Sequence, residues 1–222
     1  PFLLPGGDEA VKEPARCACA LARQMAEWRP DGLLRRLEHG IPPRKRQALE
    51  TMMERHVHCP ATSSMGRLFD AVAFWCGFDG AAGCEGHAAM VLESWAASLP
   101  EDGPEGDSYE WVMHEEGGLL ELDWRPVLKA LNDDLLAGVS RCRIARKFHE
   151  SLVNLVFDVA ERFSQDRLVL GGGCFQNAFL LEGLMGMAQS RACVLSLPQR
   201  VPCNDGGISL GQAAAAVRQW KG

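Results

Sequence analysis

Three stretches of the chain hold residue types at spacings that suit chemistry. In 171-GGGCFQN-177, three consecutive glycines follow a short apolar run and precede a helical pattern. Triple glycine weakens packing and carries a large entropic cost, so it marks a tight turn or a place where something approaches the backbone. Backbone N–H groups bared in this way, with the partial positive charge of a following helix N-terminus, suit an anion such as a phosphate. The spacing puts Asn177 about one turn into that helix, where its amide either hydrogen-bonds a nucleotide's sugar or base or is merely exposed. The stretch matches neither the P-loop, whose Lys-Ser/Thr it lacks, nor G-x-G-x-x-G.

The second stretch, 202-PCNDGGISLGQAAAA-216, sets Asn204 and Asp205 before a glycine pair and an Ala-rich helix. Asp205 reads as a hard oxygen ligand for a metal seated on phosphates, or as the N-cap of that helix. In the third, 66-GRLFD-70, Asp70 interrupts the apolar pattern of a helix, and 85-EGHAAM-90 follows with Glu85 and Gly86. A carboxylate here suits ribose hydroxyls; the competing reading is a solvent-facing helix Asp. The six histidines show neither H-E-x-x-H nor H-x-x-x-H spacing, and 56-HVH-58 reads as a dipole contact at a helix C-terminus. No Ser lies in a G-x-S-x-G setting and no Cys has a sequence-evident His partner, so no side chain is assigned as catalytic.

The elements that must position these loops alternate in the last third of the chain. A strand over 167–170, the glycine turn, a helix over 175–189, a strand over 192–197, a loop and a helix over 207–220 give β-α-β-α order. Such alternation predicts parallel strands in an α/β layer, with ligands at the strands' carboxyl ends, where both glycine loops fall. Upstream the pattern is helical over 15–28, 44–55, 63–78, 85–99, 124–137 and 140–163. In the last of these Phe148, Leu152, Leu155, Val159 and Phe163 mark one apolar face. The acidic, turn-rich run 100–118 leads into an edge strand around 109–113, paired with a second strand over 119–123. Helices before residue 56 carry no catalytic cluster and read as a packing layer.

A net charge of −6 and the absence of a clustered basic face exclude a general nucleic-acid binder. Runs such as 44-RKR-46 read as solvated helix faces. Nine cysteines, an odd number with no C-x-x-C pair, point to a reducing cytoplasm and to small buried hydrophobes rather than a disulfide scaffold. No apolar run approaches the roughly 20 residues of a membrane span. An opening 1-PFLLPGGDEAVKEPAR-16 without Met, running straight into a Pro-Gly-Gly turn, reads as the remainder of a longer protein.

Taken together, 5-PGGDEAVKEPAR-16, 66-GRLFDAVA-73, 85-EGHAAMVLE-93, 171-GGGCFQN-177 and 203-CNDGGISLGQA-213 resemble, in order and over nearly the whole chain, the carboxyl-terminal part of the HypF family. These are the carbamoyltransferases of nickel-iron hydrogenase maturation. The resemblance implies a helix-rich α/β fold, the second lobe of an ASKHA (actin-like ATPase, Kae1-like) domain, with residues 1–222 as its carboxyl-terminal portion. It implies that Gly171, Gly172 and Gly173 face nucleotide phosphates, Asn177 and Asp70 the nucleoside, Gly86 the close approach beside it, and that Asp205 supplies one ligand to a divalent metal (Mg, Fe or Zn). Implied cofactors and partners are ATP, carbamoyl phosphate, a carbamoyl adenylate intermediate, the HypE protein with its carboxyl-terminal Cys, and upstream domains of the same polypeptide. No membrane or nucleic acid is implied, and the setting is cytoplasmic. The family's histidine metal ligands, acylphosphatase-like segment, Cys-rich zinc-finger region and YrdC-like domain have no counterpart here, so the piece alone is expected to lack turnover. Two alternatives stay open: another Kae1-like O-carbamoyl- or threonylcarbamoyltransferase, and a non-catalytic interaction module.

Overall fold

Proline sets where two early helices begin. Pro14 opens α2 (Pro14–Gln24) and Pro43 opens α4 (Pro43–Glu54), each in the first turn, where the missing N–H has no helical partner to lose. The computed structural model describes residues 1–28, 30–99 and 107–220, so part of the expected acidic loop, 100–106, lies outside the described residues. The chain divides into two compact units, Pro1–Ser151 and Leu152–Gly222.

In the first unit, β1 (Phe2–Leu3) pairs antiparallel with β2 (Ala61–Thr62), which returns the Pro-Gly-Gly turn against the chain past α4. The short α1 (Glu9–Lys12) precedes α2, whose Cys17, Ala18, Cys19, Ala20 and Ala22 are all buried. Their small side chains let α2 pack on α5 (Met65–Cys76). Every residue of α5 from Arg67 to Cys76 is buried, with Arg67 and Asp70 as the charged pair in an otherwise apolar helix. Against α5 lie α6 (His87–Ala97) and the first part of α8 (Arg141–Arg162), where the ring of Phe69 meets Phe148 edge-on at 5.0 Å. The long helix shows the expected apolar face, with Phe148, Leu152 and Leu155 buried, but Phe163 falls past its end and is exposed.

Helix α3 (Asp31–Gly40) is capped from far away. Pro30 offers no capping side chain, and the orphan N–H groups of Gly32 and Leu33 donate instead to Asn132 Oδ1 at 2.8 and 3.3 Å. Asn132 is buried on α7 (Arg125–Leu136). The predicted hairpin forms as β3 (Val112–Glu116) against β4 (Leu119–Asp123), antiparallel from Val112↔Asp123 to Glu116↔Leu119. Its first strand starts three residues later than expected. Residues 107–111 serve another end: Tyr109 donates through its backbone N–H to Ser151 Oγ and through its hydroxyl to Asp134 Oδ2. Lys147 reaches the same Asp134 oxygen at 2.6 Å and lies over the Tyr109 ring.

The second unit contains the alternating elements: β5 (Arg167–Val169), α9 (Ala178–Ser190), β6 (Val194–Ser196) and α10 (Ile208–Trp220). The two strands are parallel, in register Arg167↔Val194, Leu168↔Leu195 and Val169↔Ser196. Helix α9 buries Leu180, Leu184 and Ala188 at steps of four. Its Gly183 passes so near Val153 that a Cβ there would lie 2.9 Å from a methyl group. The architecture is helix-rich α/β, as expected. No helix among the described residues is long and apolar enough to cross a membrane.

Candidate functional site

Both glycine loops sit at the carboxyl ends of β5 and β6, and the backbone fastens them together. After β5 the ladder continues with Leu170 N–H donating to Ser196 at 2.9 Å, and then Gly172 N–H donates to the Cys203 carbonyl at 2.6 Å. Gly171, Gly172 and Gly173 are all exposed. Gly172 holds φ 111° and ψ 159°, a region essentially closed to other residues, so glycine is required there by the backbone itself. A Cβ added at Gly171 or Gly172 would meet nothing within 4 Å. The space above this backbone is open to a ligand, which fits the phosphate reading.

Asn177 is not a turn inside the helix. The glycines run into a 3-10 turn, Gly173–Gln176, which Asn177 closes, and α9 begins only at Ala178. Asn177 is the buried N-cap of α9, its Oδ1 accepting from Leu180 N–H at 2.8 Å. The physical reason is that Asn caps well with extended backbone, and Asn177 has φ −72° and ψ 110°.

In the second loop the cap falls to Asn204, not Asp205. Asn204 Oδ1 accepts from Gly206 N–H at 3.0 Å, and Asp205 opens a 3-10 turn, Asp205–Gly207, with its side chain exposed. Gly207 lies under Pro202, whose carbonyl oxygen would stand 2.7 Å from an added Cβ. Asp205 is thus free of the cap role and presents a carboxylate outward. Among the described residues no group of three or more His, Cys, Asp or Glu side chains gathers as a metal site.

Asp70 and Gly86 belong to the first unit. Asp70 is buried, which overturns the solvent-facing reading, and its Oδ2 lies 2.8 Å from Nη1 of Arg67, itself buried one turn earlier on α5. Burial pushes the Asp70 carboxyl up to about 6; Arg67 opposes the rise and Glu85 adds to it. Arg67 was legible as an i,i+3 partner on one helix face. Gly86 is half-buried at the N-terminus of α6 with φ 75°, and a Cβ there would meet nothing within 4 Å. Glu85, the residue just before Gly86, acts on the Asp70 carboxyl through its charge.

Other expectations shift. Cys17, Cys19, Cys59 and Cys76 are buried hydrophobes, but Cys84 is exposed and Cys142, Cys174, Cys193 and Cys203 are half-buried. His56 and His58 lie in a turn after α4 with φ 52° and 49°, beyond the helix they were expected to end. His149, which no motif singled out, is fully buried against Phe69, with Nδ1 2.7 Å from the Ala145 carbonyl. Burial holds it neutral, down to about 4.

A family model described as "Carbamoyltransferase, Kae1-like domain, second subdomain" matches residues 1–212. Carbamoyltransferase HypF of Synechocystis sp. is 33% identical over 98% of this chain and 29% of its own length. The carbamoyltransferase HypF homolog of Cupriavidus necator is 35% identical over 97% of this chain and 55% of its own length. The chain thus spans about a third to a half of these relatives. A crystal structure of full-length HypF in the phosphate- and nucleotide-bound form superposes with a TM-score of 0.85 at 30% identity, covering 100% of this chain and 29% of that one. T. kodakarensis HypF shares the fold, with a TM-score of 0.73 at 23% identity.

Proposed function

The chain belongs to the HypF carbamoyltransferase family, as the second subdomain of its Kae1-like domain, and on that premise we propose that it is the nucleotide-binding lobe of a carbamoyltransferase. The single observation that carries this reading is the 2.6 Å bond from Gly172 N–H to Cys203, which joins two glycine loops at the ends of parallel strands. Gly171, Gly172 and Gly173 then face the nucleotide phosphates; the Gly172 N–H is held by Cys203, so its part is to shape the turn, and Gly171 and Gly173 offer the donors. In the second unit Asn177 contacts the nucleoside and Asp205 contributes one oxygen to a divalent metal; for the first unit, taken by itself, the family resemblance assigns Asp70 a nucleoside contact and Gly86 a close approach. A bound metal would draw off phosphate charge; the chain's own part is to orient the phosphates with fixed donors that need no reorganisation during reaction.

In the complete protein, ATP and carbamoyl phosphate give a carbamoyl adenylate, and the carbamoyl group passes to the terminal Cys of HypE, toward the cyanide ligands of nickel-iron hydrogenase. The setting is the reducing cytoplasm. The nucleotide-bound form of the full-length relative supports this reading. The test is carbamoyl transfer by the complete gene product carrying Asn177→Ala together with Asp205→Ala, shown folded by circular dichroism. Transfer should be abolished; an active double variant overturns the assignment.

A further inference from the structure

Within the buried run of α5 only Arg67 and Asp70 are charged. One turn apart, they bring Nη1 of Arg67 to 2.8 Å from Oδ2 of Asp70, with the two side chains 11% and 3% exposed. Apart from each other, these two buried atoms have no hydrogen-bonding partner among the described residues. Removing two charges from water is costly, and their attraction offsets the cost only when further hydrogen bonds complete the pair. An apolar pair of similar volume would therefore serve the fold at least as well. Stability does not account for Arg67.

What Arg67 does account for is the charge on Asp70. Burial and the like charge of Glu85, just before α6, both favour the protonated carboxyl, and Arg67 alone opposes them. From α2 the Cys17 thiol faces both members of the pair, but burial pushes it up to about 12, so it brings no charge. On α8, His149 lies against the neighbouring ring of Phe69 and is neutral above about 4. On α3, Arg36 sits at the far end of α5, where it donates to the Phe74 carbonyl and pairs with Asp79. The hydroxyls of a nucleoside donate hydrogen bonds, which an ionised carboxylate accepts at both oxygens and a protonated one does not. We propose that Arg67 is the positioning residue for Asp70, keeping its carboxylate charged so that it accepts hydrogen bonds from nucleoside hydroxyls. The proposal rests on the nucleoside reading of Asp70 above.

Two readouts on the complete gene product separate this role from packing. The first needs no ligand. In urea titrations a protein gains stability on its Asp70→Asn counterpart as pH falls through the folded-state titration of Asp70, near 6 with Arg67 present. In the Arg67→Met background that turning point should move up by about one pH unit or more, and Arg67→Lys should return it toward 6. A turning point that stays near 6 in Arg67→Met overturns the proposal. The second readout is calorimetric titration with adenosine, which has no group of its own titrating between pH 5 and 9. Arg67→Met should weaken adenosine by about twofold to tenfold at pH 7 and recover at pH 9. Equal loss at both also overturns the proposal and leaves Arg67 a packing residue. Arg67→Gln, neutral and nearer in size, gives the same readings should Arg67→Met not fold. A turning point that moves while Asp70→Asn binds adenosine as the wild type does would sink the nucleoside contact and leave the hold of Arg67 on the Asp70 charge standing.

Discussion

Gly172 donates its backbone N–H to the carbonyl oxygen of Cys203 at 2.6 Å, so the loop after β5 and the loop after β6 form one piece of backbone. Two neighbouring glycines in that piece answer different questions. Gly172→Ala forces a side chain onto φ 111° and should destabilise the second unit by about 1–3 kcal/mol. Gly171 does not have a positive φ, so Gly171→Ala should leave the thermal midpoint unchanged. Its methyl group projects into the open space above the loop. Calorimetric titration with ATP and magnesium then reads ligand exclusion alone: lost binding in folded Gly171→Ala supports a phosphate cradle, and unchanged binding counts against it.

Asn177 can be separated into cap and contact. Asn177→Ala removes the acceptor for Leu180 N–H and should cost about 0.5–2 kcal/mol in a denaturant titration. Asp caps as well as Asn, so Asn177→Asp should keep the stability. If Asn177 also faces the nucleoside, Asn177→Asp should still weaken ATP binding; wild-type affinity in that variant would reduce the residue to its cap.

Asp70 gives a pH signature. Its carboxyl is raised to about 6 in the folded protein against the ordinary 3.8, so the folded state holds the proton more tightly than the unfolded chain. The penalty of the buried charge is full above pH 6, shrinks as pH falls through 6 and is gone below the unfolded value. His149, held near 4, acts in the opposite direction below pH 6.5. That contribution is common to wild type and Asp70→Asn and cancels in their difference. From pH 8 to pH 5 the wild type should gain roughly 1–2 kcal/mol relative to Asp70→Asn in urea titrations. Parallel pH profiles would show that Asp70 is not the buried acid described here.

Asn132 should be among the most sensitive positions in the first unit. Asn132→Ala leaves the Gly32 and Leu33 N–H groups without their acceptor inside the protein, a loss of about 1–3 kcal/mol. Gly32→Ala should also destabilise, because its Cβ would stand 2.9 Å from the Asn132 carbonyl oxygen. Equilibrium unfolding of both variants checks the pair; wild-type midpoints would refute the cap.

The alternating third of the chain was legible because its signals are local. A short apolar run, a glycine turn and a helical period follow one another in 167–190, and periodicity alone orders them. The hairpin's second strand, 119–123, was read to the residue for the same reason. What was not legible depends on distant partners. Nothing near Asp70 in sequence says that α2, α6 and α8 cover its helix, so a buried carboxylate looked solvent-facing. Asn132 could not be recognised as a cap, since the helix it serves begins about a hundred residues earlier. Asn177 was placed a turn too deep and the cap of the second loop was read at Asp205 instead of Asn204, because a 3-10 turn before each helix moves the cap without changing the apolar pattern.

The bond between Asn132 and Gly32 also bears on the order in which the protein is made. A helix usually carries its own cap and can close as soon as it is synthesised, but α3 takes its acceptor from a residue 100 positions downstream. At roughly 5–20 residues per second, the N–H groups of Gly32 and Leu33 are left to water for on the order of 5–20 s of synthesis. During that interval the first turn of α3 lacks its buried acceptor, which arrives only when the ribosome delivers α7.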